Sequence, residues 1–243
     1  MSPTSPPRFH IDAELAQGAE IDLPEPAVQH IMARRLREGE ALVLFNGRGG
    51  EHEATVSLLL RGRCTARVGA HRDTERESTL SIALALGVSA GDRMDYAVQK
   101  ATELGVERIV ALATERSVVR LSPERAERRL AHWRGIAASA CEQCGRNRLP
   151  AIDSVSSFDE FVAHPPEGLK LAFFPDGGAR LGEVERSRNI VVLIGPEGGL
   201  SARERDASLA SGFVGLRFGP RTLRTETAPV AVLAALQALW GDC

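Results

Sequence analysis

Apolar positions along the chain change period once, near residue 75, and that change predicts two different kinds of structure. Upstream, short apolar runs alternate with turn signals. Ala41-Leu42-Val43-Leu44-Phe45 reads as a strand and Asn46-Gly47 as the tight turn after it. Glu51–Leu60 and Arg63–Val68 supply two more strand-like runs with Arg61-Gly62 between them, and Ala27–Arg37 has helical spacing. Short strands with one helix predict a small β-barrel over residues 1–73. His71–Thr79 is the most polar stretch and reads as a linker between domains.

From Leu80 onward strands and helices alternate. Leu80–Val88, Arg108–Thr114, Leu169–Phe174, Asn189–Ile194 and Val214–Phe218 are buried-strand runs. Met94, Ala97, Val98, Ala101 and Leu104 place an apolar stripe on a helix over Asp92–Leu104, which Gly105 ends. Ser122 as N-cap and Pro123 at the first helical position start a long helix that runs to about Cys144, with Gly145 as its stop. Ser201-Ala202-Arg203-Glu204 fits a capping box. Thr225–Trp240 is a mostly apolar final helix that tolerates Pro229 in its first turn. This order predicts a mainly parallel sheet with helices on both faces over residues 80–243. No internal repeat or low-complexity segment is visible.

Composition adds limits. The 243 residues carry a formal net charge of −2, and 43% are hydrophobic, as in ordinary globular proteins. No apolar run approaches the ~20 residues that cross a bilayer. Residues 1–7 lack the pattern of a secretory signal, so a cytoplasmic protein is expected. Cys141 and Cys144 form a lone C-x-x-C late in a helical pattern, with no second pair at zinc spacing, and read as packing residues. His10, His52, His71, His132 and His164 show no metal-ligand pairing, and His30 reads as a helix-surface residue. No nucleophile-elbow motif is present, so hydrolase chemistry is not indicated.

The basic residues are almost all arginine, and they are unevenly spread. Between Arg116 and Arg148 stand eight arginines (116, 120, 125, 128, 129, 134, 146, 148) against three glutamates (124, 127, 142). Such a segment can grip RNA phosphates, although a solvated helix face explains the charge equally well.

Two segments concentrate the polar chemistry. Ile194-Gly195-Pro196-Glu197-Gly198-Gly199 and Phe218-Gly219-Pro220-Arg221-Thr222-Leu223-Arg224-Thr225-Glu226-Thr227-Ala228 each follow a strand and open into a helix. Glycine permits close approach of backbone to a ligand, and helix N-termini offer N–H donors. The first segment lacks the spacing of a dinucleotide or phosphate loop, and alone it is compatible with a tight structural turn. The second gathers a cation, a carboxylate and two hydroxyls where a helix cap needs one of them.

With these motifs in place, the chain resembles the RsmE family, the SPOUT-class methyltransferases of N3 of uridine in 16S ribosomal RNA. Pro7-Arg8-Phe9, His30, Arg35–Gly39 and Phe45-Asn46-Gly47 are similar to its small-domain motifs. Gly91-Asp92-Arg93-Met94, Gln99–Gly105, Glu115-Arg116-Ser117, Glu142–Arg146 and the two glycine segments resemble those of its large domain. Phe218 and Arg34 depart from the pattern, standing where an aliphatic and an apolar residue are usual.

The resemblance implies a PUA-like β-barrel followed by a trefoil-knotted α/β domain that works as a homodimer. It implies S-adenosyl-L-methionine held by Phe174, Ile194, Gly195, Pro196, Glu197, Gly198, Gly199, Phe218, Gly219, Leu223, Arg224 and Thr225. Arg224 would stabilise charge on the uracil. Glu226 would be the base or orient Arg224, and Glu197 could instead hold the cofactor. Arg8, Arg35, Arg116, Arg146 and Arg148 would contact 16S rRNA or the 30S subunit, with no membrane and no metal involved. A non-catalytic RNA-binding module, or an unrelated enzyme that binds nucleotide phosphate on its glycine loops, are the other readings the residues leave open.

Overall fold

A computed structural model describes residues 5–117, 122–175 and 178–243. Arg120, counted above in the basic segment, lies outside the described residues. The chain forms two compact units: residues through Glu77 with Ala138–Leu149, and Ser78–Ala137 with Pro150–Cys243.

The first unit contains β1 (Arg8–His10), β2 (Glu20–Asp22), α1 (Glu25–Ala33), β3 (Ala41–Phe45), β4 (Glu51–Leu60) and β5 (Arg63–Arg72). They form a five-stranded sheet in the order β1-β3-β4-β5-β2. Every pairing is antiparallel except β1 with β3. Period-two alternation sends Leu42, Leu44, Ala54, Val56, Cys64, Ala66 and Val68 to one buried face, where Phe9 and Ile31 join them. The helix is shorter than its spacing predicts. It stops at Ala33 because Arg35 takes a left-handed backbone, φ 56°.

The polar residues 75–77 carry ion pairs within this unit, Glu75 with Arg148, Arg76 with Glu51 and Glu77 with Arg146. His30 is half-buried, its ring edge-on to Phe9 at 5.4 Å. Burial, followed by repulsion from Arg34, lowers its pKa.

The second unit contains β6 (Ser81–Gly87), α2 (Asp92–Glu103), β7 (Arg108–Ala113), α3 (Pro123–Cys144), β8 (Ala151–Ile152), β9 (Ser156–Ser157) and α4 (Phe158–Ala163). It continues with β10 (Leu169–Phe173), a 3₁₀ turn (Leu181–Glu183), β11 (Asn189–Ile194), α5 (Ala202–Ala210), β12 (Val214–Leu216) and α6 (Thr227–Trp240). The last turns of α3 belong to the first unit. The sheet runs β12-β10-β11-β6-β7-β8, and β9 also pairs with β7. All its pairings are parallel.

One sheet face buries Ile82, Leu84, Ile109 and Val192 against α2 and α6, through Met94, Val98, Val232 and Leu236. The other buries Ala85, Val110, Leu112 and Leu193 against Phe158, Phe161 and Phe213. The two-faced burial explains why these strands read as continuous apolar runs.

Long elements of the second unit match their sequence patterns to within a residue or two, whereas β5 runs four residues beyond its expected end at Val68. The C-terminal stop of α2 at Gly105 (φ 78°) and the end of α3 at Gly145 (φ 90°) both use left-handed glycine. The short elements β1, β2, β8, β9 and α4 carry too few residues to show a period. The strand expected over Val214–Phe218 ends at Leu216, because Arg217 turns to donate its N–H to Ala179 O. Cys141 is buried with its Sγ on Arg148 O (3.6 Å), and burial pushes its pKa up to about 12. No helix among the described residues is long and apolar enough to cross a membrane.

Candidate active site

Three loops leave the C-terminal ends of neighbouring strands β10, β11 and β12, at Phe174-Pro175, Gly195–Leu200 and Phe218–Glu226. Between them lies a cavity of about 800 Å³ in the second unit. Ligands of open parallel sheets bind at this end of the strands.

The first glycine loop is fixed from three sides. Gly199 N–H donates to Pro196 O at 2.8 Å, closing the turn, and Gly199 takes φ 66°. Ser201 caps α5 through Glu204 N, and Glu204 returns a bond to Ser201 N, the expected capping box. The same buried Glu204 accepts the N–H of Glu115 at 2.8 Å, which brings the end of β7 to this loop. Arg116 then donates to Gly198 O at 3.1 Å. A side chain at Gly195 would place its Cβ 2.8 Å from Leu200 N, and one at Gly87 would come 2.4 Å from Pro196 Cδ. Glycine is therefore required at both positions.

The second loop starts α6 without a side-chain cap. Thr227 N and Ala228 N both donate to Arg224 O at 2.9 Å, and Glu226 at the N-cap position accepts no capping bond. The cluster Arg224-Thr225-Glu226 is therefore left for other work. Thr225 Oγ1 lies 3.4 Å from Gly195 O and 3.2 Å from Ser89 Oγ, tying the two loops to the end of β6.

Two carboxylates meet one guanidinium here. Arg93, from the first turn of α2, donates to Glu197 Oε1 at 3.1 Å and has its Nε 3.9 Å from Glu226 Oε2. Ala90 N also donates to Glu197 Oε1, at 3.1 Å. Burial works to raise the Glu197 pKa. The backbone donors and Arg93 outweigh it and hold the group below the usual carboxylate range. Glu197 Oε2 and Glu226 Oε2 are buried without a hydrogen-bond donor among the described residues. Buried acceptors of this kind are ordinarily hydrogen-bonded, and both residues line the cavity.

Every residue expected to hold the cofactor lines this cavity: Phe174, Ile194–Gly199, Phe218, Gly219 and Leu223–Thr225, with Glu226 beside them. Arg224 is exposed and has no acidic partner among the described residues. No contact joins Glu226 to Arg224 among the described bonds, since Glu226 faces Arg93 instead. Sequence reasoning missed three contributors, Arg93, Ser89 and Arg205. Arg205 lies over the Phe174 ring at 4.7 Å. Only Arg93 had a signal, since it sits inside the Gly91–Met94 motif.

The residues expected to contact RNA separate into two groups. Arg35 and Arg148 are exposed in the first unit, and exposed Arg116 lines the cavity. Arg146 is only 4% exposed, and its guanidinium is held by both Glu77 oxygens at 2.5–3.1 Å. Arg8 is held by Glu51 and by Asn147 Oδ1. Both are internal counter-charges, which corrects the expectation of a phosphate contact at these two positions. An arginine with its donors committed inside the fold has few left for a ligand.

The cavity suits a large ligand rich in donors, with two acceptor oxygens, a glycine-lined wall and the apolar rings of Phe174 and Phe218. Comparison with known proteins agrees in both units. Residues 76–237 match the RNA methyltransferase domain family, and residues 23–68 match the RNA methyltransferase PUA domain family. A ribosomal RNA small subunit methyltransferase E from Neisseria gonorrhoeae, solved bound to S-adenosyl methionine, is 39% identical with a TM-score of 0.90. The alignment covers 98% of this chain and 99% of that one. A methyltransferase from Legionella pneumophila, solved with its cofactor S-adenosyl methionine, is 36% identical with a TM-score of 0.95, over 99% and 100% of the two chains. The ribosomal RNA small subunit methyltransferase E of Buchnera aphidicola subsp. Schizaphis graminum is 36% identical over 168 residues, 68% of each chain. With both domains matched in order and the same loops converging on one cavity, the chain belongs to the RsmE family of SPOUT-class small-subunit ribosomal RNA methyltransferases.

Proposed function

We propose that this chain transfers a methyl group from S-adenosyl-L-methionine to N3 of a uridine in 16S ribosomal RNA, acting as a homodimer in the cytoplasm. The observation that carries this reading is the cavity of about 800 Å³ between two glycine loops, with two donor-less carboxylate oxygens in its wall. It also supports the twelve cofactor-contacting residues expected from the sequence, and the knotted path implied by the resemblance belongs to the same reading.

S-adenosylmethionine, when bound, supplies an electrophilic methyl group on a sulfonium sulfur. The chain's residues supply the rest. Glu197 and Glu226 offer acceptors to the cofactor's ammonium and hydroxyl groups, and Gly195 and Gly219 let backbone come close. Uracil N3 must lose its proton before its lone pair can attack. Glu197 is ill suited to take that proton, because its pKa is held low. Glu226, the other carboxylate lining the cavity, is the acceptor for that proton when it is not engaged by the cofactor. Arg224 stabilises the negative charge that develops on the uracil carbonyl oxygens. Arg35, Arg116 and Arg148 hold RNA phosphate, and the target base turns out of its stack to reach the cavity.

The test is tritium transfer from labelled S-adenosylmethionine to small ribosomal subunits from cells lacking this protein, with the product nucleoside identified by mass spectrometry. N3-methyluridine is the expected product. Tight cofactor and RNA binding with no transfer would leave only an RNA-binding role.

A further inference from the structure

We propose that a second cavity, beside the first, binds one nucleotide of the RNA substrate, with its phosphate on Arg180 and Arg217. The proposal rests on the functional reading above and names how that substrate is held. This cavity measures about 560 Å³ and shares Phe218, Gly219, Arg221 and Leu223 with the first. A ligand in it therefore adjoins one in the other.

The cavity's charge is one-sided. Arg180, Arg217 and Arg221 line it, no carboxylate does among the described residues, and all three are exposed. None of them has an acidic partner within ion-pair distance among the described residues. Some exposed arginines elsewhere are paired, such as Arg63 with Asp22 and Arg67 with Glu20, and others such as Arg34, Arg61 and Arg188 are not, among the described residues; what sets these three apart is that they line one hollow. The chain has 32 acidic residues for 30 basic ones, so three unpaired guanidinium groups around one hollow are a local excess rather than a global one. Guanidinium forks match phosphate oxygens in geometry. The remaining wall is apolar, made by Leu181, Phe218, Pro220, Leu223 and Ala231, which suits the ribose and base of the same nucleotide.

The two principal arginines stand on fixed backbone. Ala179 N donates to Gly215 O at 2.9 Å, and Arg217 N donates to Ala179 O at 3.0 Å. Gly178 allows this approach, since a Cβ there would fall 1.8 Å from Gly215 O. Arg180 and Arg217 thus leave adjacent, hydrogen-bonded segments, and holding them together needs no further ordering of the backbone.

The experiment compares the parent chain with the Arg180→Gln/Arg217→Gln variant, because neither residue lines the first cavity. Methyl transfer to small ribosomal subunits is measured across a salt series, alongside S-adenosylmethionine affinity and sedimentation. Arg188→Gln is the control. It removes one positive charge, half that of the double variant, before β11, at the opposite end of that strand from the glycine loop.

The expected result is a KM for subunits raised about tenfold at low salt, with the slope of log kcat/KM against log salt shallower by about 1.5. Cofactor affinity and kcat stay near parent values. Arg180→Lys/Arg217→Lys should restore most of the slope, since it keeps the charge. An unchanged slope, or an equal change in Arg188→Gln, would overturn the site while leaving the methyltransferase reading intact. So would a shift from dimer to monomer with the slope unchanged, which would assign these arginines to contact between copies. A parent chain that transfers no methyl group would overturn the functional reading and this site with it.

Discussion

Replacing Arg146 with Met tests the reassignment of that residue from RNA ligand to internal counter-charge. Arg146 is 4% exposed, and the Glu77 carboxylate that it holds is 23% exposed at the side chain. Methionine keeps most of the volume, so the change removes the charge and its hydrogen bonds with little cavity. Breaking a buried pair by removing one partner costs about 3–5 kcal/mol. Glu77 retains some access to water, which favours the low end, near ~3 kcal/mol. For a chain of this size each kcal/mol moves the melting temperature by about 2–4 °C, so the transition that includes the first unit should fall by roughly 6–12 °C.

Differential scanning calorimetry reads this directly, with hydrogen exchange to show which unit opens first. Glu77→Gln on the Arg146→Met background should recover part of the loss, because the uncompensated carboxylate is gone. The double-mutant cycle then isolates the pair's coupling. The reasoning fails if Arg146→Met melts with the parent while RNA affinity and its salt slope drop. That outcome would mean that the guanidinium leaves Glu77 to meet phosphate.

Arg224→Ala should lower kcat by about 10²–10³, the loss typical of a donor to developing negative charge, while calorimetric S-adenosylmethionine affinity is kept; unchanged turnover would remove Arg224 from the chemistry. Gly195→Ala presses a Cβ to 2.8 Å from Leu200 N and 3.0 Å from the Gly199 carbonyl carbon, neither of which can rotate away. Cofactor affinity should fall at least about tenfold and stability by about 1–3 kcal/mol, and a normal titration would refute the close packing of this loop. Glu142 is pushed up by burial, only partly offset by the His10 N–H and Arg8. Its folded pKa lies above the unfolded value, so its stabilising contribution is complete below the unfolded value and is lost as pH rises through the folded one. Glu142→Gln, which can still accept the His10 N–H, should therefore gain stability over the parent at neutral pH and match it in acid. Melting temperatures over a pH series check this, and a parallel offset at every pH would contradict it.

Residues that speak through local rules were legible from the start. Gly105 and Gly145 stop helices because they take left-handed backbone, and Ser201 with Glu204 closes a capping box three residues apart. The strands β6, β7 and β11 announced themselves as apolar runs because both faces of a parallel sheet are covered. The two glycine loops were recognisable too, since each joins a strand to a helix within one stretch of chain.

Partnership across sequence distance was not legible. Arg93 meets Glu197 and Glu226 over 104 and 133 positions only because α2, β11 and α6 converge at one end of the sheet. Glu204 looked like a cap and proved also to anchor the end of β7. The basic segment shows the limit most plainly. Composition counted Arg116, Arg146 and Arg148 alike, yet burial turned one into the wall of a cavity, one into an internal ion pair and one into an exposed side chain. The elements, their order and the two loops follow from neighbours a few residues apart. Which charges are spent inside the fold and which remain for a ligand depends on solvent access and on distant partners, and those arise only when the chain packs in three dimensions.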